Sequence, residues 1–442
     1  MKLAVWSPLP PSPSGIADYV AETLPVLREH ADVEVVVEDP EAVTPIDGVA
    51  LRRPDACSAD ALPLYQLGNS PAHAYVYRAA LARPGVSVLH DWSLHHLVLC
   101  ETVERGDVTG YLREMRRGYG ETGTFVGRQV ARALGGTLLP ALFPLNDRIL
   151  EGSLGIVGLT RFVSARARCR APERSVLHLP HHLALPLDPP PTREAARAAL
   201  GLPADALLVT CPGLATVSKR LPVVLRVVAR LRRLHPRLRL VIAGGVDADL
   251  PLPAWADQAG IGDGLVVSGR QTLADFERHL AAADVVCLLR FPSHGEMSGA
   301  LVRALGVGRP CLVTAGTPAA DEFPEGVVVP VDPGRHEEAE LEALLLRLLD
   351  EPALGERIGR LAAAHVRTHH DLRATIGRLL AFLEQVQGRA PALLRLLDAD
   401  RALAGTLAGY FAEEVRWAAR DLGLAGIDLG VGPLLRDLAR PA

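Results

Sequence analysis

A stretch in the second half of the chain combines the residue types that bind phosphate groups. Residues 291–310 (FPSHGEMSGALVRALGVGRP) follow an apolar run, and a helix is predicted to begin near Gly299. The start of such a helix offers backbone N–H groups and the positive end of a dipole. We therefore predict that an anionic phosphate binds against Met297, Ser298 and Gly299.

Two charged residues flank this predicted phosphate site. Glu296 precedes it and can accept hydrogen bonds from sugar hydroxyls, and Arg303 follows on the predicted helix as a fixed cation. A carboxylate and a cation around a phosphate are the groups that hold a nucleotide sugar. The same loop is also compatible with an ordinary connection, so its interpretation depends on the other loops of the chain.

A second loop, residues 213–220 (GLATVSKR), places two adjacent cations where a helix is predicted to begin. Lys219 and Arg220 oppose the helix dipole there, which is unfavourable by about 0.3–1 kcal/mol unless an anion is bound. A diphosphate would supply that anion, and we assign Gly213, Lys219 and Arg220 to its site. The alternative is that both side chains simply extend into water.

The first half offers two further polar loops directly after predicted strands. In residues 12–18 (SPSGIAD), Gly15 permits close backbone approach at a helix start, which favours a nearby anion or acceptor, although a simple turn is the alternative. In residues 89–96 (LHDWSLHH), His90 can bond a sugar hydroxyl or act as an acid or base near neutral pH.

Two other kinds of site are not supported by residue spacing. His90, Asp91, His95 and His96 match no closed metal site, so we expect no metal and assign His95 and His96 to a helix start or the surface. The GxGxxG fingerprint of dinucleotide binding does not occur, which argues against an NAD-linked oxidoreductase.

Short apolar runs alternate with longer helical patterns, which predicts parallel sheets covered by helices. The predicted strands of the first half are residues 3–6, 33–37, 86–89 and 155–159, and its helices are 15–28 and 108–119. In the second half the predicted strands are 207–211, 238–243, 264–268, 285–289, 310–314 and 326–330, and the helices are 193–200, 222–234, 338–349 and 371–387.

The chain is long enough to contain more than one domain. Its 442 residues exceed the size at which a single core keeps growing, and a proline-rich stretch at 183–192 (LALPLDPPPT) reads as a linker. We predict two Rossmann-like α/β domains, 1–185 and 186–387, and a helical C-terminal extension, 388–442. Because ligands bind beyond the carboxyl ends of parallel strands, a cleft between the domains is expected.

Composition restricts the partners and the compartment. A net charge of −4 argues against a general nucleic-acid binder, and the six cysteines lie far apart without a CxxC pair, which favours a reducing cytosol. The N-terminus lacks the features of a signal peptide, and apolar runs end before about 18 residues. The arginine-rich segment 113–117 leaves open association with the inner face of a membrane, but a solvated helix face is the favoured interpretation.

The loops together resemble those of the retaining family 4 glycosyltransferases of the GT-B fold, across roughly residues 1–387. The resemblance is carried by Ser14 and Gly15, by 65–69 (YQLGN), by 89–91 (LHD), by Gly213 with Lys219 and Arg220, and by 295–299 (GEMSG) followed by 303–310 (RALGVGRP). It implies transfer of a sugar, with retention of configuration, from a nucleoside-diphosphate sugar such as a UDP-sugar to a glycan, lipid-linked or small-molecule acceptor. Neither a cofactor nor a catalytic metal is implied.

The same resemblance assigns roles to individual residues. Lys219, with Arg220 beside it and the helix start at 297–299, would neutralise the departing diphosphate, where fixed cations lower the barrier. Glu296 would hold hydroxyls of the donor sugar, and His90 would contact that sugar near the reacting carbon. Gly15 would line the acceptor side.

The sequence departs from the family pattern at the residues expected to bind the nucleoside. The family pairs two glutamates separated by seven residues; here Gly295 and Arg303 occupy those positions, and the acid is displaced to Glu296. Asp91 and Glu322 remain candidates for nucleoside or sugar contacts, together with Arg303 itself. Leu214 stands where the family often has an arginine.

Two other functions are compatible with this sequence. A catalytically silent partner subunit would keep the fold, and the arginine at 303 favours it, whereas retention of Lys219 and Glu296 argues against it. A nucleotide-sugar epimerase would be distinguished from a transferase by whether release of the diphosphate requires an acceptor. The sequence leaves the sugar, the base, the acceptor and the oligomeric state open.

Overall fold

The computed structural model of the protein describes residues 1–403 and 406–422. The chain forms two compact units. Unit 1 consists of Met1–Leu179, His294–Glu296 and the described residues from Ile376 onward, and unit 2 of Pro180–Ser293 and Met297–Thr375. The domain boundaries predicted from the sequence, after residues 185 and 387, remain predictions.

Unit 1 contains a seven-stranded sheet in which all the paired strands are parallel, in the order β3-β2-β1-β4-β5-β6-β7. Its strands are β1 (Lys2–Trp6), β2 (Asp32–Val36), β3 (Ala50–Arg52), β4 (Leu62–Leu67), β5 (Val86–Leu89), β6 (Gly155–Gly158) and β7 (Ser175–His178). The strand order changes direction between β1 and β4, and such a switch point is where open α/β sheets bind ligands.

Seven helices belong to the first 179 residues: α1 (Gly15–Leu27), α2 (Ala74–Ala82), α3 (His95–Glu101), α4 (Val108–Val130), α5 (Leu139–Leu142), α6 (Asp147–Gly152) and α7 (Arg161–Arg170). Helix α4 is kinked at Tyr119 and Gly120, because Gly120 has a φ of 58° that interrupts the helical backbone. The helix predicted over 108–119 therefore ends at the kink, and the chain then resumes a helical course.

The predicted strands of unit 1 agree with β1, β2, β5 and β6 to within one residue. Their short apolar runs are buried on both faces, as expected of parallel strands covered by helices. The prediction missed β4, whose six residues are all buried, because Pro63 and Gln66 interrupt its apolar run. It also missed β3 and β7, which are only three and four residues long.

Unit 2 contains a six-stranded parallel sheet in the order β10-β9-β8-β11-β12-β13. Its strands are β8 (Leu207–Pro212), β9 (Leu238–Ala243), β10 (Leu265–Val267), β11 (Val285–Leu288), β12 (Cys311–Thr314) and β13 (Val329–Val331). Its helices are α8 (Arg193–Ala199), α9 (Leu221–Leu231), α10 (Leu252–Ala259), α11 (Leu273–Ala282), α12 (Gly299–Gly306), α13 (Pro318–Asp321), α14 (Glu337–Asp350) and α15 (Pro352–His369).

All six strands of unit 2 were predicted, but β13 lies three residues later at its start than expected. Pro330 sits inside β13, which is tolerated because this strand is at the edge of the sheet. Helices α10, α11, α13 and α15 were not predicted. The apolar pattern of α15 is weak, since only Gly355, Gly359, Ala362 and Val366 are buried along its 18 residues.

Helices α9 and α14 pack together over the main core of unit 2. Their buried faces carry Val224, Val228, Leu341 and Leu345, each removed from solvent completely. Burying a side chain of this size contributes about 1.5–3 kcal/mol. Ion pairs between arginines of α9 and acids of α14 border this interface, including Arg230 Nε to Glu342 Oε2 at 2.8 Å.

The described C-terminal residues are helical, as predicted. Helix α16 (Leu372–Leu403) buries Phe382 and Val386 against Gly155 of β6, where a Cβ atom would lie 2.7 Å from Val386. Helix α17 (Leu407–Asp421) contacts α4, because the Trp417 indole N–H donates to the carbonyl oxygen of Arg117 at 3.1 Å. The rest of the predicted extension, residues 423–442, lies outside the described residues.

Three further observations bear on the predicted setting of the protein. Within residues 1–403 and 406–422, no helix is long and apolar enough to cross a membrane. The six cysteines are free thiols, and four of them are buried. In the arginine-rich segment, Arg117 pairs with Glu151 at 2.7 Å and Arg116 lies over the Trp417 ring at 4.7 Å, so both side chains are engaged inside unit 1.

Candidate functional site

Two of the predicted loops of unit 2 lie at the same edge of its sheet, the edge formed by the carboxyl ends of the strands. Strands β8 and β11 are neighbours, with Val209 beside Val285, so the loops that follow them leave the sheet side by side. A hydrogen bond joins them, from the backbone N–H of Phe291 to the carbonyl oxygen of Ser218 at 2.8 Å. The cationic loop and the Gly-Glu-Met-Ser-Gly loop thus form the same edge, as predicted.

Lys219 is held at this edge by the end of β8. Its half-buried ammonium group donates to the carbonyl oxygen of Pro212. Gly213, the next residue, has a φ of 78°, and a Cβ atom there would lie 3.1 Å from the Lys219 Nζ. Gly244 packs on the other side, since a Cβ atom on it would lie 2.6 Å from the Gly213 carbonyl group. Both glycines are therefore required for this loop geometry.

The environment of Lys219 disfavours its charge. Burial, with Arg290 nearby as a second cation, lowers the pKa of Lys219 to about 7. Arg290 directly precedes the Phe291 loop, and its backbone N–H donates to Thr314 Oγ1 at 2.8 Å at the end of β12. A phosphate bound beside these two basic side chains would favour the charged form of Lys219.

The start of α12 completes this edge. Ser298 is the N-cap, and its hydroxyl accepts a hydrogen bond from the backbone N–H of Leu301 at 3.3 Å. Helix α12 begins at Gly299, as predicted. A Cβ atom on Gly299 would lie 3.1 Å from the His181 Nε2, so His181 faces the helix start.

Three predicted contact residues of unit 2 have protein partners in the structure. The guanidinium of Arg220 pairs with the buried Glu337, with Nε 3.1 Å from Oε1. Arg303 donates to the carbonyl oxygen of Ala184 in the proline-rich segment. Glu322 follows α13 and lies close enough to His370 to influence its pKa. These interactions give Arg220 and Arg303 roles within the architecture of unit 2.

In unit 1, His90 lies at the carboxyl end of β5 and is buried. Its Nε2–H donates to Oε1 of Gln66 on the neighbouring strand β4 at 2.8 Å. The Tyr19 ring of α1 approaches it edge-on, with ring centroids 4.9 Å apart. Gly15 begins α1, and none of the described atoms beyond its chain neighbours lies within 4 Å of a Cβ atom built on it.

The segment 65–69 orients the residues around His90. Asp91 Oδ2 accepts a hydrogen bond from the Asn69 backbone N–H at 2.8 Å, and Asn69 Oδ1 accepts one from Leu97 at the start of α3 at 3.1 Å. Next in the chain, His95 is the first residue of α3 and is buried, whereas His96 is exposed.

Glu296 belongs to a tight turn that packs in unit 1. Its Oε2 accepts a hydrogen bond from the His294 backbone N–H at 2.6 Å, and the His294 carbonyl oxygen accepts one from Trp92 at 2.8 Å. Gly295 has a φ of 86°, and a Cβ atom there would lie 2.5 Å from the Trp92 Cβ. The turn is therefore joined to the loop that begins with His90.

Comparison with known proteins finds a similarity in the region that carries Lys219 and α12. Residues 192–365 match the family of glycosyl transferases, group 1. The predicted resemblance to glycosyltransferases is confirmed. Only two of the 47 lysine and arginine residues of the chain are lysines, Lys2 and Lys219, so the lysine in this group 1 region is an unusual choice for the chain.

The chain is similar to curated glycosyltransferases over part of their length. A D-inositol 3-phosphate glycosyltransferase from Streptomyces griseus is 35% identical over 198 residues, which is 41% of this chain and 40% of the relative. One from Mycobacterium bovis is 33% identical over 189 residues, covering 40% of this chain and 37% of the relative. The chain thus matches about two fifths of the length of these relatives.

Solved structures with the same fold cover most of the chain. Sucrose-phosphate synthase from Thermosynechococcus elongatus superposes with a TM-score of 0.62 and 14% identity, over 88% of this chain and 100% of that one. HepE from Anabaena, in complex with UDP, gives a TM-score of 0.57 and 15% identity over 87% of this chain and 100% of that one. The predicted GT-B class, with two Rossmann-like sheets and a helical C-terminal region, is confirmed.

Sequence reasoning missed three residues at these strand ends. Gln66 carried a signal, because a glutamine inside an otherwise apolar strand must find a buried partner. Arg290 follows the last apolar residue of its predicted strand, so its position was readable from the same pattern. His181 had no comparable local signal, since only the folded unit 2 places it at the start of α12.

Proposed function

We propose that this protein transfers a glycosyl group from a nucleoside-diphosphate sugar to a hydroxyl acceptor, with retention of anomeric configuration. In this reaction the bond between the sugar and the diphosphate breaks and a bond to the acceptor oxygen forms. The proton of the acceptor hydroxyl leaves with the diphosphate. Assignment of the activity rests on the group 1 match and on the chemistry of the described strand ends.

The observation that best supports the proposal is the group of basic residues at the carboxyl ends of the strands of unit 2. Lys219, Arg290 and the start of α12 lie on loops that follow neighbouring strands and are hydrogen-bonded to each other. Burial and the nearby Arg290 disfavour the charged form of Lys219. A diphosphate would relieve both costs, and its developing charge during bond cleavage is what such groups stabilise most.

We assign separate roles to the residues of unit 1. Glu296 accepts hydrogen bonds from hydroxyls of the transferred sugar, and the glycine turn at 295 fixes its backbone. His90, oriented by Gln66, contacts the sugar near its reacting carbon. Gly15 leaves room for the acceptor at the start of α1.

The proposed donor is a uridine nucleotide sugar. HepE from Anabaena, which shares the fold, has been crystallised with UDP and with UDP-glucose. The acceptor is a hydroxyl of a glycan, a lipid-linked saccharide or a small molecule. No catalytic metal enters the proposal, because Lys219, Arg290 and the helix start supply the positive charge.

A nucleotide panel tests the donor site directly. The thermal stability of the wild type should rise with UDP and a UDP-sugar more than with GDP or ADP, since only ligands of the native state stabilise it. The increase should be smaller in Lys219→Ala than in the wild type and fully kept in Lys2→Ala, which changes the other lysine. A panel in which no nucleotide raises the melting temperature would remove the proposed donor site.

The reaction itself is tested by release of the nucleoside diphosphate with and without acceptors. Acceptor-dependent release, with a product whose anomeric configuration equals that of the donor, supports retaining transfer. Inversion of the anomeric centre would contradict retention. Interconversion of the nucleotide sugar without release would favour the epimerase, and tight binding without any turnover would favour a silent partner subunit.

A further inference from the structure

Helix α3 and the turn after it bring together three side chains of metal-binding type that the proposed function does not use. They are His96, Cys100 and Glu104, spaced four residues apart. Their nearest ligand atoms all lie within 4.8 Å of one another, and the Cys100 Sγ is 3.8 Å from the His96 Nε2. In a tetrahedral zinc site a sulfur and a nitrogen ligand are about 3.6 Å apart, given the usual zinc bond lengths.

The backbone around this cluster is fixed by independent contacts. The ring of His95, one residue before His96, is locked in the core between the Phe143 carbonyl oxygen at 2.5 Å and the Tyr111 hydroxyl at 2.9 Å. The Thr102 hydroxyl donates to the Val98 carbonyl oxygen at 2.5 Å and closes the end of α3. The backbone that carries the three side chains is therefore held in place by contacts outside the cluster.

The arginines near the cluster pair with a different acid. Arg105 pairs with Glu101 at 2.8 Å, and Arg78 pairs with the same Glu101 at 2.7 Å. The carboxylate of Glu104 instead lies beside Cys100, within 4.8 Å of its sulfur. A divalent cation would replace the proton of the thiol and neutralise both groups.

We propose that His96, Cys100 and Glu104 bind one zinc ion, with water as the fourth ligand. Imidazole, thiolate and carboxylate are all zinc ligands, and three protein ligands with water in the fourth position form a known type of zinc site. His96 and Glu104 are exposed, whereas Cys100 is buried, so the ion would enter from solvent onto a sulfur at the base. The ion would tie α3 to the turn that follows it.

This site is separate from the proposed transfer chemistry. The ligands begin six residues after His90 and include none of the residues assigned to donor or acceptor. Zinc is thus expected to stabilise this part of unit 1 without supplying the charge for diphosphate departure. Failure of the zinc site would leave the proposed glycosyl transfer untouched.

Titration with Co²⁺ and Zn²⁺ tests the proposal on the full-length protein. Cobalt should produce a thiolate charge-transfer absorption with one equivalent per chain, and zinc should displace it. Cys169→Ser, which removes the exposed cysteine on α7, is the control and should keep the band. Cys100→Ser should lose it.

A second variant protects the test against misfolding. Because His96 is exposed, His96→Gln should fold normally. Its zinc affinity by calorimetry should fall by at least the roughly 10–100-fold that loss of an outer-shell partner alone causes. Zinc should also raise the melting temperature of the wild type and not that of His96→Gln. The proposal is overturned if the wild type gives no thiolate band, or if the band or zinc affinity is unchanged in Cys100→Ser and His96→Gln.

Discussion

The strand ends of the two units differ in charge and in what holds them. In unit 2 the groups are cationic, with Lys219 and Arg290 beside a helix start and glycines at 213 and 244. In unit 1 they are neutral or acidic, with His90 fixed by Gln66 and Glu296 held in a turn.

The difference shows how one type of sheet can serve two kinds of ligand. Parallel sheets present loops at their carboxyl ends, but the loops decide the chemistry. Buried cations with little room for side chains suit a diphosphate. Hydrogen-bonded histidine, amide and carboxylate groups suit neutral hydroxyls. If this contrast is correct, substitutions in unit 2 should slow departure of the diphosphate. Substitutions in unit 1 should impair binding of the sugar without changing the affinity for the nucleotide.

The largest effect is expected for Lys219→Ala. Loss of one group that stabilises developing charge typically lowers turnover about 10²–10³-fold, so kcat should fall by that amount and more than the donor KM rises. Steady-state kinetics with the identified donor measures it. Lys2→Ala, which removes a surface lysine paired with Asp60, should retain wild-type rates. An unchanged kcat in Lys219→Ala would contradict its role.

The second largest effect is expected for Gly295→Ala. The new methyl group would meet Trp92 and force an unfavourable positive φ, which costs about 1–3 kcal/mol of stability and displaces Glu296. Displacement of a binding group by about 1 Å can lower turnover about 100-fold. Urea denaturation and kinetics measure both effects, while UDP affinity should be retained. Gly388→Ala, in an open position on α16, should not destabilise the protein. Normal stability and activity of Gly295→Ala would show that the turn does not position Glu296.

Gln66→Leu should have a smaller, more selective effect. The His90 Nε2–H would lose its acceptor, and a buried donor without a partner costs about 1–3 kcal/mol. We expect about a tenfold lower kcat and a shifted pH profile, with UDP binding unchanged. Gln66→Glu keeps an acceptor and should recover part of the rate. If kcat falls equally in both variants and the pH profile stays that of the wild type, Gln66 has only a structural role in the core.

The smallest expected signal is a proton taken up on nucleotide binding. Because the pKa of Lys219 is lowered to about 7, its amine is mostly neutral at pH 8, and a bound diphosphate would raise that pKa again. Phosphate groups with a pKa of about 6 are already ionised there. Calorimetry of UDP binding in buffers of different ionisation enthalpy should show uptake approaching one proton. Lys219→Met should abolish this uptake and Lys2→Ala should keep it; uptake in Lys219→Met would assign the proton elsewhere.

The sequence predicted the parts that depend on local pattern. Short runs rich in Val, Ile and Leu located β1, β5, β9 and β11. The positions of the loops that follow these strands came from the geometry of parallel strands. Strand β4 escaped because a proline and a glutamine break its apolar run. The start of α12 at Gly299 was readable from the serine cap and the glycine.

The parts that escaped prediction depend on partners distant in the chain. Arg220 meets Glu337, 117 residues away, and Arg303 meets Ala184, 119 residues away. Residue spacing in the sequence does not reveal such pairs. Both arginines were therefore predicted to contact the ligand. His181 is similar, since its approach to Gly299 exists only after folding. The sequence located the loops, but only the fold assigns each side chain to ligand or scaffold.

The stacked backbones of Gly213 and Gly244 restrict how this protein could be re-engineered. Any side chain at position 244 would displace the loop that contains Gly213. Mutant libraries of these two loops should therefore keep both glycines. Leu214, more than half exposed on the same loop, is a better place for variation. A chain in which lysine is so rare also allows single-site labelling, because Lys2→Arg would leave Lys219 as the sole side-chain amine.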